Sequence, residues 1–260
     1  MKINCSAEKG VMEHEECLAC ALRQDNTCGY DYIVLKNLFA ANSQDRSGSV
    51  HVTDLTGCLR KSYYDKTIKT PTFPHEMLNR SVGTWIHSIL EGNDPLVESE
   101  VPLSILGLVG TADAIYEEGR LLDLKTTRWL YPNKVPYGSH ELQVNIYGYM
   151  RKKAGFPINT LQIQYIDLSG PTKCRKCRVS MQMIDGVVQC PTCGNVPKSG
   201  GHLGCVIVDI PIYAEEHVEE IVERRVGELQ SALDTDFAPE KEPGWLCAYC
   251  DHVEECKPDG

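Results

Sequence analysis

Asp113, Asp123 and Lys125 are the residues in this chain whose types and spacing best suit chemistry. Residues 110–113 read G-T-A-D and residues 123–125 read D-L-K, each within a short β-favouring run. Side chains alternate across a strand, so Asp123 and Lys125 share one face while Leu124 turns into the core. A hairpin between the two runs brings Asp113 close to Asp123. Two carboxylates and an ammonium among apolar residues are costly unless something binds them. Carboxylate oxygens suit a hard cation such as Mg2+ or Mn2+. Taken alone, the D-L-K triplet reads as an Asp–Lys ion pair at a sheet end.

Two further pairs flank these residues. Gly83 and His87 lie four apart in a helical run, where an imidazole can ligate a metal and a glycine admits a close neighbour. Gln143 and Tyr147 also lie four apart, on one face of a second helical run. Each pair alone is ordinary; the ordered set is specific.

The chain has 13 cysteines and no run apolar enough for a signal peptide or a membrane span. This predicts a cytoplasmic protein, with metal binding in place of disulfides. Cys174, Cys177, Cys190 and Cys193 have the spacing of a zinc ribbon. Lys173, Arg175, Lys176 and Arg178 surround its first knuckle, and both a structural staple and a surface for DNA or a partner stay open. Cys247, Cys250 and Cys256, with the distant Cys58, supply four thiolates whose spacing fits zinc or iron-sulfur. Cys5, Cys17, Cys20 and Cys28 are assigned a second zinc, with His14 as a fifth candidate, because so short a segment builds no core unaided. Cys205 is left over and is expected as a buried thiol in a strand.

The elements that must position these groups follow from periodicity. Thr53 suits the N-cap of a short helix carrying Leu55, Cys58 and Leu59, and Met77 to Leu90 predicts a longer helix. Val97 to Leu103, Leu108 to Tyr116 and Leu121 to Thr127 predict an antiparallel meander, with Gly107 and Gly119 at its turns. Glu141 to Ala154 returns to helix, Leu161 to Leu168 and Val206 to Ile212 to strand, and Glu215 to Leu233 to a charged helix. This order predicts an α/β fold, a mixed sheet covered by helices. Residues 1–50 are expected as a four-cysteine module ending in the polar linker Ala41 to Val50. Residues 51–260 form the main domain, and residues 171–204 the ribbon inserted in it.

The formal charge of -10 argues at first against a polyanionic partner. Its distribution removes the objection. Residues 215–260 hold 14 acidic and 4 basic residues, which accounts for the whole excess, whereas residues 120–178 hold 11 basic and 3 acidic ones. The acidic stretch reads as a solvated helix face.

In their order the motifs G-x-x-x-H, G-x-x-D, D-x-K and Q-x-x-x-Y resemble those of the RecB-like branch of the PD-(D/E)XK nucleases, over about residues 53–256. The resemblance implies a restriction-endonuclease-like αβββαβ core and metal-dependent hydrolysis of DNA phosphodiesters. It implies Asp113, Asp123, His87 and the backbone carbonyl of Leu124 as ligands of Mg2+ or Mn2+. Lys125 would then orient the attacking water or stabilise the transition state, and Gln143 and Tyr147 would position Lys125 or the DNA backbone.

One upstream and three C-terminal cysteines resemble the CRISPR-associated Cas-four nucleases and, more distantly, AddB-type repair nucleases. That implies a [4Fe-4S] cluster on Cys58, Cys247, Cys250 and Cys256. It also implies exonuclease action, with endonuclease action beside it, on single-stranded DNA or DNA ends. The implied role is trimming of prespacers beside a spacer-integration complex, in antiviral defence. The ribbon and the N-terminal cysteines depart from the plainest Cas-four pattern. No G-x-x-x-x-G-K-[ST] motor motif occurs, so end-processing in repair, beside a helicase partner, is the nearest alternative. A non-catalytic nucleic-acid-binding module that keeps the fold is a third reading, opposed by the complete set of Asp113, Asp123 and Lys125. A redox protein built on the cluster would not depend on those three residues.

Overall fold

The computed structural model describes residues 1–7, 10–23, 28–42, 48–90, 95–198 and 201–257. The middle of the expected linker, residues 43–47, lies outside the described residues. The chain forms two units, Met1–Ile89 with Glu223–Gly260, and Leu90–Val222.

In the first unit β1 (Lys2–Asn4) pairs antiparallel with β2 (Val11–Glu13), and α1 (His14–Ala21) and α2 (Tyr32–Ala41) follow. The Asp31 carboxylate accepts from the Ile33 N–H at 2.9 Å, satisfying a donor that the start of α2 leaves open. Ile3, Cys17, Leu35, Leu38, Phe39 and Met77 form the core of this part. After β3 (Val50–His51) come α3 (Val52–Leu55), α4 (Leu59–Thr67) and α5 (Pro74–His87). The single helix expected from Thr53 is therefore two. Gly57, a poor helix former, falls in the break, and Cys58 becomes the N-cap of α4. Pro74 opens α5, where its missing N–H costs nothing. The α-helical span ends at His87, three residues before the expected Leu90, and Ser88–Leu90 tightens into a 3-10 turn.

The C-terminal part of this unit is tied to α4. Arg60 Nε donates to the Pro239 carbonyl at 2.6 Å, Tyr63 Oη to Asp236 at 2.7 Å, and Leu59 N to Glu242 at 3.1 Å. Tyr64 Oη donates to the carbonyl of Glu255 in α8 (Val253–Cys256) at 3.2 Å.

The second unit holds β4 (Val97–Ile105), β5 (Leu108–Tyr116), β6 (Arg120–Thr127), α6 (Gly138–Lys153), β7 (Thr160–Asp167), β8 (Gln182–Ile184), β9 (Val187–Gln189) and β10 (Cys205–Ile210). The α7 helix (Glu215–Thr235) starts here. Chain order from α5 to β7 is the expected αβββαβ series. β4 with β5 and β5 with β6 run antiparallel, β6 with β7 parallel, and β7 with β10 antiparallel, which makes the sheet mixed. Parallel neighbours need a crossover, and α6 supplies it. Both buried strands are rich in apolar residues as such positions demand, with Leu121, Leu122, Leu124, Leu161, Ile163 and Tyr165 all buried.

Two turns fix the register. Leu106 and Gly107 have φ of 50° and 78°, the left-handed pair that a two-residue hairpin requires. Gly119 has φ of 83°, and a Cβ there would sit 2.9 Å from the Pro157 carbonyl, so only glycine fits.

A further expectation is corrected. Cys205 begins a strand, as foreseen, but it is exposed rather than buried. β10 stands at an edge of the sheet, and its alternation turns Cys205 outward.

Candidate active site

Pairing between β5 and β6 ends at Ala114↔Leu122. Asp113 and Asp123 occupy the next opposed positions, where the ladder stops. The Leu124 N–H, which a continued ladder would have engaged, donates instead to Asp113 Oδ2 at 2.6 Å. Leu124 itself points into the core and is 3% exposed. Asp113 and Asp123 are 6% and 1% exposed, and Lys125 Nζ lies 2.7 Å from Asp123 Oδ2. A buried ion pair of this kind is weak as a stabiliser and expensive to break.

α6 supplies the opposing wall. Every residue from Gln143 to Arg151 is buried, and Gln143 Nε2 donates to Tyr147 Oη at 3.1 Å. Burial pushes the Tyr147 hydroxyl up to about 12, and the charges of Asp123 and Asp113 add to the shift. Five of the expected residues, Asp113, Asp123, Lys125, Gln143 and Tyr147, therefore converge within the second unit. His87 closes α5 in the first unit.

Three residues near this cluster escaped the sequence reading. Glu100 stands between the Ser99↔Ala114 and Val101↔Ala112 rungs, opposite Asp113, and its φ is 49°. Oxygen atoms of the Glu100 and Asp113 carboxylates lie within 4.8 Å. The two-residue turn at Leu106 and Gly107 sets the register that places Glu100 against Asp113, a relation visible only once the hairpin is paired. Tyr165 is paired with Lys125 across the parallel ladder, and its hydroxyl meets His140 Nδ1 at 2.9 Å. Burial, with Lys125 adding to it, lowers His140 to about 4. Burial raises Tyr165 to about 12.

The ribbon cysteines come together. The Sγ atoms of Cys174, Cys177, Cys190 and Cys193 all lie within 4.8 Å of one another, and Cys174 Sγ is 3.8 Å from Cys193 Sγ. Tetrahedral zinc with Zn–S bonds of about 2.3 Å separates its sulfurs by about 3.8 Å, so the set fits that ion. Buried Cys174, Met181 and Cys190 make the small core of this insertion. Burial raises the Cys190 thiol, but the backbone N–H groups of Cys193 and Thr192 and the thiols of Cys193 and Cys174 bring it down to about 6. Cys193 first, then burial and Cys190, hold Cys177 up at about 12.

The first unit carries the other two sets. Burial, with Cys28, Cys5 and Cys20 adding to it, raises Cys17 to about 11, which places all four N-terminal cysteines in one neighbourhood. Cys58 sits in a turn held from both sides, by Arg225 donating to the Gly57 carbonyl and by the Leu59 to Glu242 bond. Cys247 Sγ accepts from the Gly244 N–H at 3.4 Å. Between Cys250 and Cys256, His252 is 1% exposed and its Nε2 lies 2.8 Å from Asp65 of α4. Among the described residues no cysteine is joined in a disulfide.

Among the described residues no helix is long and apolar enough to cross a membrane. None of the curated proteins compared with the chain matches it. Among solved structures, the protein SSO0001 aligns at TM-score 0.48 with 18% identity over 87% of this chain and 95% of its own. An alkaline exonuclease, LHK-Exo from Laribacter hongkongensis, aligns at 0.37 with 11% identity, over 77% of this chain and 95% of its own. A phage-related exonuclease from Haemophilus somnus 129PT aligns at 0.39 with 13% identity, over 75% and 97%. The sequence model of the PD-(D/E)XK nuclease superfamily matches residues 76–257, a span that takes in most of α5, strands β4 to β10, the four-cysteine insertion and the last three cysteines. With the acidic pair, the lysine and the βββαβ series described above, this match makes the chain a member of the PD-(D/E)XK nuclease superfamily.

Proposed function

We propose that the chain is a deoxyribonuclease dependent on Mg2+ or Mn2+, acting as an exonuclease on single-stranded DNA or DNA ends. One observation carries the reading: Asp113, Asp123, Lys125, Gln143 and Tyr147 meet where the ladder between β5 and β6 stops. The oxygens of Asp113 and Asp123, with the Leu124 carbonyl and His87 as the resemblance implies, would hold the cation. A divalent cation bound there supplies an acidified water and offsets charge on the scissile phosphate.

The remaining chemistry belongs to side chains. Asp123 holds the Lys125 ammonium at 2.7 Å, so its charge is fixed in direction when a phosphate enters. Tyr147, raised to about 12, keeps its proton at working pH and donates it as a hydrogen bond. Gln143 fixes the orientation of that hydroxyl. The excluded water around Asp123 strengthens each of these interactions.

Zinc at Cys174, Cys177, Cys190 and Cys193 is supported by the sulfur spacing, and a second zinc at Cys5, Cys17, Cys20 and Cys28 by their mutual effect on Cys17. A [4Fe-4S] cluster on Cys58, Cys247, Cys250 and Cys256 is supported by the bonds that tie α4 to the C-terminal segment. Thirteen cysteines without a disulfide among them suit the reducing cytoplasm. The resemblance to Cas-four nucleases supports a role in prespacer trimming beside a spacer-integration complex.

The test is incubation of 5′- and 3′-labelled single-stranded and duplex DNA with the full chain and Mn2+, beside Asp113→Ala and Lys125→Ala. Stepwise loss of nucleotides from one labelled end, absent in both variants, is expected. Undiminished cleavage by both variants would sink the assignment. Anaerobically purified protein is expected to be coloured and to contain iron; a colourless preparation holding zinc alone removes the iron-sulfur cluster.

A further inference from the structure

The loop after the catalytic strand carries an exposed tryptophan on a rigid base. Trp129 is 64% exposed, four residues beyond Lys125, while its neighbour Leu130 is fully buried. Leu130 N donates to Asp167 Oδ2 at 2.8 Å, and Leu203 N donates to the Leu130 carbonyl at 3.0 Å. Leu168 N donates to the Thr127 carbonyl at 2.8 Å, and the Ser169 hydroxyl to the Arg128 carbonyl. The loop is thus clamped to both chain segments that lead into and out of the ribbon.

The same contacts bring the first knuckle beside it. His202 rests edge-on against Tyr131, with ring centroids 6.0 Å apart, and its carbonyl accepts from the Thr172 N–H at 3.0 Å. The next residues are Lys173, Arg175, Lys176 and Arg178, all exposed. Residues 171–204 hold five cations and a single acid, Asp185. Four thiolates with one Zn2+ add a formal charge of about -2, so the insertion stays positive. Arg128 and Lys134, also exposed, continue the cationic surface along the loop.

The geometry points to a track for single-stranded nucleic acid that leaves the end of β6, stacks a base on Trp129 and runs its phosphates over the first knuckle of the ribbon. A flat ring offered to solvent on an immobile loop suits base stacking, which every base can make, and cations spaced beyond it suit a backbone. A duplex hides its base faces and can use only the cations. The track deepens the nuclease reading and rests on it for its biological substrate.

The experiment is fluorescence anisotropy of a labelled oligothymidylate on the full, metal-loaded chain with no further divalent cation added, so that binding is read without cleavage. Trp129→Ala is expected to weaken binding about 5- to 100-fold, while Trp129→Phe keeps most of it. Replacing Lys173, Arg175, Lys176 and Arg178 together by Gln is expected to reduce the slope of log affinity against log salt by about 3, at about 0.7 for each lost contact. A duplex of equal length should bind less tightly and be indifferent to Trp129→Ala. Unchanged affinity and slope in the tryptophan and quadruple variants, with unchanged zinc content and melting, overturn the track. So does a Trp129→Phe variant as weak as Trp129→Ala. A chain that binds as stated but cleaves no DNA keeps the track and loses the nuclease reading; a chain that cleaves while the variants bind like wild type does the reverse.

Discussion

The acidic face of the sheet and the four-cysteine insertion lie in the same unit and treat charge in opposite ways. The face withdraws Asp113, Asp123 and much of Lys125 from water, while the insertion buries Cys174 and Cys190 and displays its cations. They are also built differently. The face depends on strand register, so that residues from β4, β5, β6, β7 and α6 meet only when the sheet is complete. The ribbon draws its four sulfurs from twenty consecutive residues, and the loop closure involved is short. The first is a product of the whole fold; the second is a local device whose parts are neighbours in sequence.

Substitutions that separate activity from architecture test this contrast most strongly. Asp113→Asn keeps an oxygen that can accept the Leu124 N–H but removes the charge. It is expected to lower turnover on the order of 10³-fold with the melting temperature unchanged or raised, measured by end-labelled DNA cleavage beside thermal melting. An unimpaired rate would show that the buried carboxylate serves the sheet and not the reaction. Cys190→Ser should do the opposite. One equivalent of zinc is lost by elemental analysis, while the main melting transition moves by less than about 1 kcal/mol in stability. Collapse of the whole unit would mean that the ribbon is not local.

An intermediate effect is expected from pH. His140 is lowered from 6.5 to about 4 in the fold, so between those values the unfolded chain binds a proton that the folded chain refuses. Stability is therefore full above about pH 6.5 and falls as pH drops toward 4. His140→Gln should flatten that limb of the stability curve, read from denaturant midpoints at pH 4.5 and 7.5; an unaltered limb assigns the acid sensitivity elsewhere. The smallest effect is expected from Tyr147→Phe, which removes one hydrogen bond to the site. Turnover should fall about 10-fold at unchanged fold, and a variant as active as wild type would relieve Tyr147 of any positioning role.

The same contrast explains what could be read from the sequence. The acidic pair, Lys125, Gln143 and Tyr147 were legible because their spacings are set within single elements. The ribbon was legible because its ligands are close in sequence. Glu100 and Tyr165 were not, since an ordinary strand residue gains meaning only from the residue across the ladder. Cys205 was misread for a related reason: which face of an edge strand meets solvent depends on neighbours. The two helices after the first strand pair were also missed, since the cysteines there dominate the local pattern and the core needs Met77 from a distant helix.

The second unit is continuous in sequence, whereas the first is assembled from both ends of the chain. Synthesis from the N-terminus therefore delivers them in a fixed order. The sheet with its acidic pair can fold as soon as residue 222 has cleared the ribosome, but α4 must wait for Pro239, Glu242 and Glu255 before its partners exist. Until then the polypeptide has the acidic pair and Lys125 without the segment that carries Cys247, Cys250 and Cys256. A nascent chain from which residue 222 has emerged while Pro239 to Glu255 are still shielded by the ribosome would thus have its sheet formed and its first unit open, a state that limited proteolysis of stalled complexes would detect as cleavage between α2 and α5.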